Sequence, residues 1–293
     1  MIDDQFDARP QSGLSDASVI WQAPAEGGIP RYVALFHAGN PPHVGPIRSS
    51  RLYFIAWAAE WDSVYVHVGG SPQALALLHS AKGQGKTVYD ADYVRWGGGS
   101  LLYRVTYRFA PHNVYSDAKH LRELAGEVGA PPMDNPAPKW KFAPDAPLAQ
   151  RPVGGQIDVP YPANRIHYQY DRKTNTYLRT VTGGKQYDIG PAKKVRIAPK
   201  NVVVMFVRFV PIGDKKHRLD GAVVGSGVAY IATNGKTIKG TWNKKSFSAV
   251  TRFLDANGKP VTLTQGQTII NVVPLTTRVT FKKGTPPPAS TTP

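Results

Sequence analysis

Nine prolines fall between residues 129 and 165: Pro131, Pro132, Pro136, Pro138, Pro144, Pro147, Pro152, Pro160 and Pro162. Each removes an amide donor and fixes φ, so no long helix or central strand passes through this stretch. It reads as a semi-rigid extended connection. Trp140 and Phe142 inside it imply that part of the connection lies against a packed body, because solvated linkers seldom carry aromatic residues. The chain therefore divides into residues 1–128, a proline-rich linker at 129–164, a second domain at 165–284, and a disordered Pro/Ser/Thr tail at 285–293.

The two domains carry different patterns. In the first, residues 17–21 and 31–36 read as strands, 51–61 as a buried helix apolar all round, and 63–68 as a short strand. Ser71 is placed to cap a helix with Pro72 at its first position, and Ser116 or Asp117 to cap another through Leu121 and Leu124. In the second, residues 166–171 and 176–181 flank a turn, Asn234-Gly235 and Asn257-Gly258 signal hairpins, and 201–210 is the most apolar strand. Gly225, Gly227 and Gly240 mark bends or bulges. The expected class is α+β: an N-terminal α/β domain followed by a C-terminal antiparallel β-rich domain.

Charge is distributed unevenly. Residues 1–150 hold 13 Lys and Arg against 14 Asp and Glu, whereas residues 151–293 hold 23 against 6. The excess clusters at Lys193-Lys194-x-Arg196, Lys215-Lys216-His217-Arg218, Lys244-Lys245 and Lys282-Lys283, creating a potential that attracts polyanions. A merely solubilising surface has the same composition. The 293 residues include no cysteine, which excludes disulfides, thiol nucleophiles and Cys-ligated metals. The longest apolar run, 52–59, falls well short of the ~20 residues that span a bilayer. The first residues lack the basic-then-apolar layout of a signal peptide, so the chain is cytosolic or its targeting segment is missing.

The richest chemistry sits at Val44-Gly45-Pro46-Ile47-Arg48-Ser49-Ser50-Arg51, a glycine–proline loop entering the buried helix. Arg48 and Arg51, the hydroxyls of Ser49 and Ser50 and the free helix-start amides suit a phosphate or carboxylate. The alternative is that these arginines pair with internal acids such as Glu26, Glu60 or Asp62. Arg31, His67, and His112 with Asn113 in Ala110-Pro111-His112-Asn113 are the further lining candidates, with Glu26 as a nearby acid. Ser80 to Thr87 has a superficial likeness to a phosphate-binding loop but lacks its first glycine and follows a helix instead of a strand. No His spacing supports a metal site, and no cofactor is implied.

At these segments the sequence resembles the YerB-like lipoprotein family of bacteria. The similarity runs through Ala8-Arg9-Pro10-Gln11-Ser12-Gly13-Leu14-Ser15-Asp16-Ala17, Ala23-Pro24-Ala25-Glu26-Gly27-Gly28-Ile29-Pro30-Arg31, the 44–51 loop, Tyr65-Val66-His67-Val68-Gly69-Gly70-Ser71-Pro72 and Ala110-Pro111-His112-Asn113. It continues in Tyr168-x-Tyr170-Asp171, Asn201-Val202-Val203-Val204, Gly240-Thr241-Trp242 and residues 266–274, nearly the whole chain. The resemblance implies an extracytoplasmic, lipid-anchored protein with an α/β domain, a β-rich domain and no established reaction. Family members usually start upstream with a signal peptide and a lipidated cysteine, and this chain holds neither. It also has Trp21-Gln22 where the family more often has an aromatic residue then Glu, which weakens a carboxylate pair with Glu26.

Three functional classes follow. The first is an envelope protein that binds a small anion at Arg31, Arg48 and Arg51, with His67, His112 and Asn113 lining the pocket and the basic domain held by wall polymer or lipid headgroups. The second is an enzyme of phosphoryl or glycan-phosphate chemistry using His67 or His112 as acid or base. The third, nucleic-acid binding through the basic half, lacks a motif and conflicts with the exported family.

Overall fold

The structure is a computed structural model and describes residues 1–37, 39–80, 87–95, 99–132, 139–190 and 194–286. Residues 287–293 of the expected tail, most of the loop at Ser80 to Thr87 and Lys193 lie outside the described residues, while Thr285, expected in the tail, instead exchanges two main-chain hydrogen bonds with Val153. One eight-stranded sheet organises the molecule. Its order is Ile2–Asp3, Pro30–Leu35, Val19–Pro24, Thr268–Pro274, Asn201–Val207, Gly225–Thr233, Lys236–Lys244, Arg252–Leu254.

Strands from both ends of the chain meet at its centre. Thr268–Pro274 pairs in parallel with Val19–Pro24 on one side and with Asn201–Val207 on the other, with Thr268 opposite both Val19 and Asn201. The remaining pairings in this sheet are antiparallel. The two central strands are near-continuous Val/Ile runs because both of their faces are covered. Val203 and Met205 face the helix Leu52–Ala59, whose Trp57 stacks on Trp21 of the sheet at 4.8 Å between ring centres. Val202 and Val204 face a five-stranded sheet of Gly184–Lys185, Thr176–Val181, Arg165–Asp171, Gln156–Pro160 and Thr280–Lys282. Helix, sheet and sheet form three layers, as an α+β chain of this patterning requires.

The proline-rich stretch is partly structured. Trp140 is buried and donates to the Thr251 carbonyl at 2.8 Å, and Lys141–Ala143 pairs in parallel with Thr262–Thr264. Gln156–Pro160 is a full strand whose Ile157 and Val159 point into the core. Paired on both sides, by Arg165–Asp171 and Thr280–Lys282, it corrects the expectation that no internal strand runs through this stretch; Pro160 only ends it, beyond the residues that Thr280–Lys282 pairs with.

A buried polar network ties the two sequence halves together between the layers. Arg179 donates to Gln22 Oε1 at 2.6 Å and Tyr168 Oη at 2.9 Å, and also meets Gln186. Gln22 in turn donates to Asp4 Oδ2 at 2.7 Å. An amide at position 22 can accept from the arginine while donating to the acid; a carboxylate there would face Asp4 without a proton to offer. This gives the Trp21-Gln22 departure a physical reason.

Candidate functional site

The motifs singled out in the sequence converge as backbone. The 44–51 segment is an extended rail: Ile47 N donates to Val114 O at 2.7 Å, Arg48 N to Met1 O at 3.1 Å and Ser50 N to Gly69 O at 2.9 Å. It brings the chain start, the 67–71 turn and the 112–116 segment side by side. The side chains on that rail part company, however, and settle into separate clusters.

In the first, Glu26 lies in the turn between Val19–Pro24 and Pro30–Leu35, Arg31 opens the next strand, and Arg51 precedes the buried helix. Glu26 accepts from Arg31 Nη2 at 3.0 Å and Arg51 Nε at 2.9 Å, with a further Arg51 contact at Nη2. Burial raises its pKa, but the two guanidiniums outweigh burial and hold the carboxyl at about 2. Arg31 and Arg51 also spend donors on the carbonyls of Ser49 and Ser50. Ser50 Oγ is 2.8 Å from Tyr65 Oη and buried, so it is not available to an anion. Ser49, half-buried, contributes its carbonyl to Arg31.

In the second, Asp3 is drawn next to the rail because Ile2–Asp3 pairs with Pro30–Leu35 and Asp3 N donates to Pro46 O at 2.9 Å. Its Oδ2 lies 2.8 Å from Arg48 Nε, an ion pair without good hydrogen-bond alignment, and 2.7 Å from His112 Nδ1. His67 forms a third cluster, fully buried, with Nε2 2.7 Å from Asp90 Oδ1 and Nδ1 2.8 Å from Gly69 O. Asn113 accepts from Arg104 at 2.6 Å.

The expectation that Arg31, Arg48 and Arg51 share one open hollow is therefore corrected. Each meets an internal carboxylate first, since Glu26 in the turn and Asp3 on the first strand lie within reach. Among the described residues His67 closes on Asp90 and Asn113 on Arg104, away from those three arginines. Of the expected residues, His112 alone lines an open cleft of about 340 Å³ among the described residues.

That cleft is lined by Asp7, Arg9, Tyr107, Arg108, Phe109 and His112. It lies between the short turn Phe6–Ala8 and the loop that ends at His112. Arg108 bridges the two walls, donating to Asp7 O at 2.9 Å and Pro10 O at 2.7 Å. Among the described residues no carboxylate stands at ion-pair distance from it, and its Nε is buried without a hydrogen-bond partner. Arg9 is anchored on Asp4, with Nη2 3.0 Å from the main-chain oxygen. With Nδ1 committed to Asp3, Nε2 is the ring nitrogen His112 has left to offer. Arg108, Arg9 and Asp3 escaped the sequence reading. The available signal was an arginine between two aromatic residues, Tyr107-Arg108-Phe109, in a loop with no strand or helix periodicity to bury them.

The comparisons bear on what this arrangement belongs to. Residues 1–130 match the description "Protein of unknown function (DUF3048) N-terminal domain", and residues 157–270 match its C-terminal counterpart. A curated relative, "Putative lipoprotein YerB" from Bacillus subtilis (strain 168), is 30% identical over 279 residues, covering 94% of this chain and 81% of the relative. The chain belongs to the YerB-like DUF3048 family. The crystal structure of the YerB protein from Bacillus subtilis superposes with a TM-score of 0.83 at 28% identity, covering 96% of this chain and 92% of that one. The family's two parts are the α/β and β-rich regions described above. In this YerB-like chain the 44–51 and 110–113 motifs brace the wall of the cleft, and no helix among the described residues is long and apolar enough to cross a membrane.

Proposed function

We propose that this protein is an extracytoplasmic envelope protein that binds a small anionic group, a phosphate or carboxylate, in the cleft lined by Arg9, Arg108 and His112. The observation that carries this reading is the Arg108 guanidinium, fixed by two main-chain carbonyls and unneutralised by any acid among the described residues. A guanidinium already held in place loses little freedom on meeting an oxyanion, and its fork suits bidentate recognition. The name of the Bacillus subtilis relative supports the extracytoplasmic, lipid-anchored part of the reading.

The basic second half serves attachment to anionic wall polymer or lipid headgroups. Lys215, Lys216, Lys245, Lys282 and Lys283 are exposed, whereas Lys244, expected among them, is buried on Glu60.

Calorimetric titration with inorganic phosphate tests the cleft. The intact protein is expected to bind, and Arg108→Leu to lose at least tenfold in affinity, since charge-assisted hydrogen bonds contribute ~1.5–3 kcal/mol. Equal affinity in both proteins refutes the reading. A second reading has one specific support: the Asp3–His112 pair at 2.7 Å orients an imidazole as a general base does. Enzymatic phosphoryl or glycan-phosphate chemistry then predicts that His112→Ala lowers turnover of a phosphoester ~100-fold or more, whereas a binder shows only a modest loss of affinity.

A further inference from the structure

The rim of the same cleft exposes aromatic surface in a way its interior does not require. Phe109 is 92% exposed, Tyr107 67%, and Phe6, next to the cleft residue Asp7, 76%. Ala110 and Pro111 are exposed too, so Phe109-Ala110-Pro111 forms a continuous apolar tip. Other exposed large apolar residues, such as Val94, Leu148 and Leu275, are spread along the chain. Isolated exposed apolar residues need no explanation; a tip of this kind does.

The tip is held out by its backbone. His112 N donates to Phe109 O at 2.9 Å, Val105 N to Asn113 O at 2.8 Å, and Arg108 clamps the loop's base to Asp7 and Pro10. Water-exposed rings on a braced loop are paired with a guanidinium that lacks an acid partner at its foot. Bilayer interfaces are recognised by the same pairing: rings enter the boundary between headgroup and acyl chain while arginine stays with the phosphates.

We propose that this face docks on an anionic phospholipid surface, with Phe109 and Phe6 entering the interface and Arg108 and Arg9 meeting lipid phosphates. The part played by the arginines rests on the anion reading of the cleft; the part played by the rings does not. A soluble acidic saccharide is the other partner with matching charge. Lipid is favoured because two of the three rings are phenylalanine, with no polar tip for a sugar hydroxyl, and because Ala110 and Pro111 carry the apolar surface away from the cleft. Asp7 opposes the anionic surface and sets a built-in limit on affinity.

The test is cosedimentation of the full chain with phosphatidylglycerol or phosphatidylcholine vesicles. Binding is expected on the former, weakened about tenfold by Phe109→Ser and about fivefold by Arg108→Leu, and strengthened by Asp7→Asn. Phe109→Trp gives a blue-shifted emission on those vesicles. Phe6→Ser weakens vesicle binding but leaves phosphate affinity unchanged, separating docking from the anion site. Equal partition to both vesicles, no response to Phe109→Ser, or a uronic-acid oligosaccharide that binds through Phe109 where vesicles do not, overturns the proposal. If vesicles bind through Phe109 and phosphate fails to bind, the cleft reading falls and the docking of the rings stands.

Discussion

Lys244 Nζ lies 2.7 Å from Glu60 Oε1 with both side chains completely buried, the one from the last long hairpin of the sheet and the other from the end of the buried helix. Lys244 also donates to the carbonyls of Ala56 and Ala249, and Thr251 donates to both Glu60 oxygens. Burial pushes Glu60 up and Lys244 down in pKa, and their pairing opposes both shifts. Removing one partner leaves a buried charge unpaired. Glu60→Leu or Lys244→Met alone is expected to cost about 3–5 kcal/mol, and the double variant less than either, in denaturant unfolding.

Because this pair and the central strand Thr268–Pro274 join residues far apart in sequence, the halves are expected to unfold together. Tryptophan fluorescence, weighted to the first half, and far-UV dichroism, weighted to the strands, should give coincident transitions. Two separated transitions contradict this.

The Glu26 cluster carries a pH dependence of known sign. Its carboxyl titrates at about 2 when folded, below its ordinary value. The unfolded state therefore takes up the proton first as pH falls. The stabilisation is complete above the unfolded value and is lost as pH falls through about 2. Glu26→Gln is expected to flatten the acid limb of a stability–pH curve and to lower stability near neutrality, by freeing two buried guanidiniums from their counter-charge.

Gly240 sits where the edge strand Arg252–Leu254 pairs alongside the hairpin: a Cβ there would lie 1.9 Å from the Leu254 carbonyl oxygen. The obstacle is backbone and cannot rotate away. Gly240→Ala is expected to destabilise by about 1–3 kcal/mol, read as a lower thermal midpoint, while leaving phosphate affinity intact in the folded protein.

Attachment through the basic half should be salt-dependent, as the Debye length falls from about 10 Å at 0.1 M to about 3 Å at 1 M. Retention on purified cell wall is expected to drop over that range; unchanged retention contradicts electrostatic attachment.

Much of this architecture was legible from periodicity and turn chemistry. The buried helix, the Ser71 cap, which accepts from Ala74 N at 3.3 Å, and the 166–181 hairpin follow from local pattern. The parallel insertion of Thr268–Pro274 beside Val19–Pro24 did not show, because pairing across some 250 residues leaves no local signature. Local pattern also hid which cation each acid would claim. Arg31 and Arg51 share Glu26, and Arg48 finds Asp3, only because the sheet brings the chain start to the 44–51 rail. Arg108 was left over by that pairing, and a leftover charge is a property of three-dimensional neighbours.

Anion recognition in the cleft rests on Arg108, and its side-chain Nε–Hε resonance in a nitrogen-correlated NMR spectrum gives the most direct test. Titration with inorganic phosphate is predicted to move that resonance saturably while those of Arg31 and Arg51, closed on Glu26, stay in place. A stationary Arg108 signal, or movement confined to Arg31 and Arg51, contradicts anion binding at Arg108.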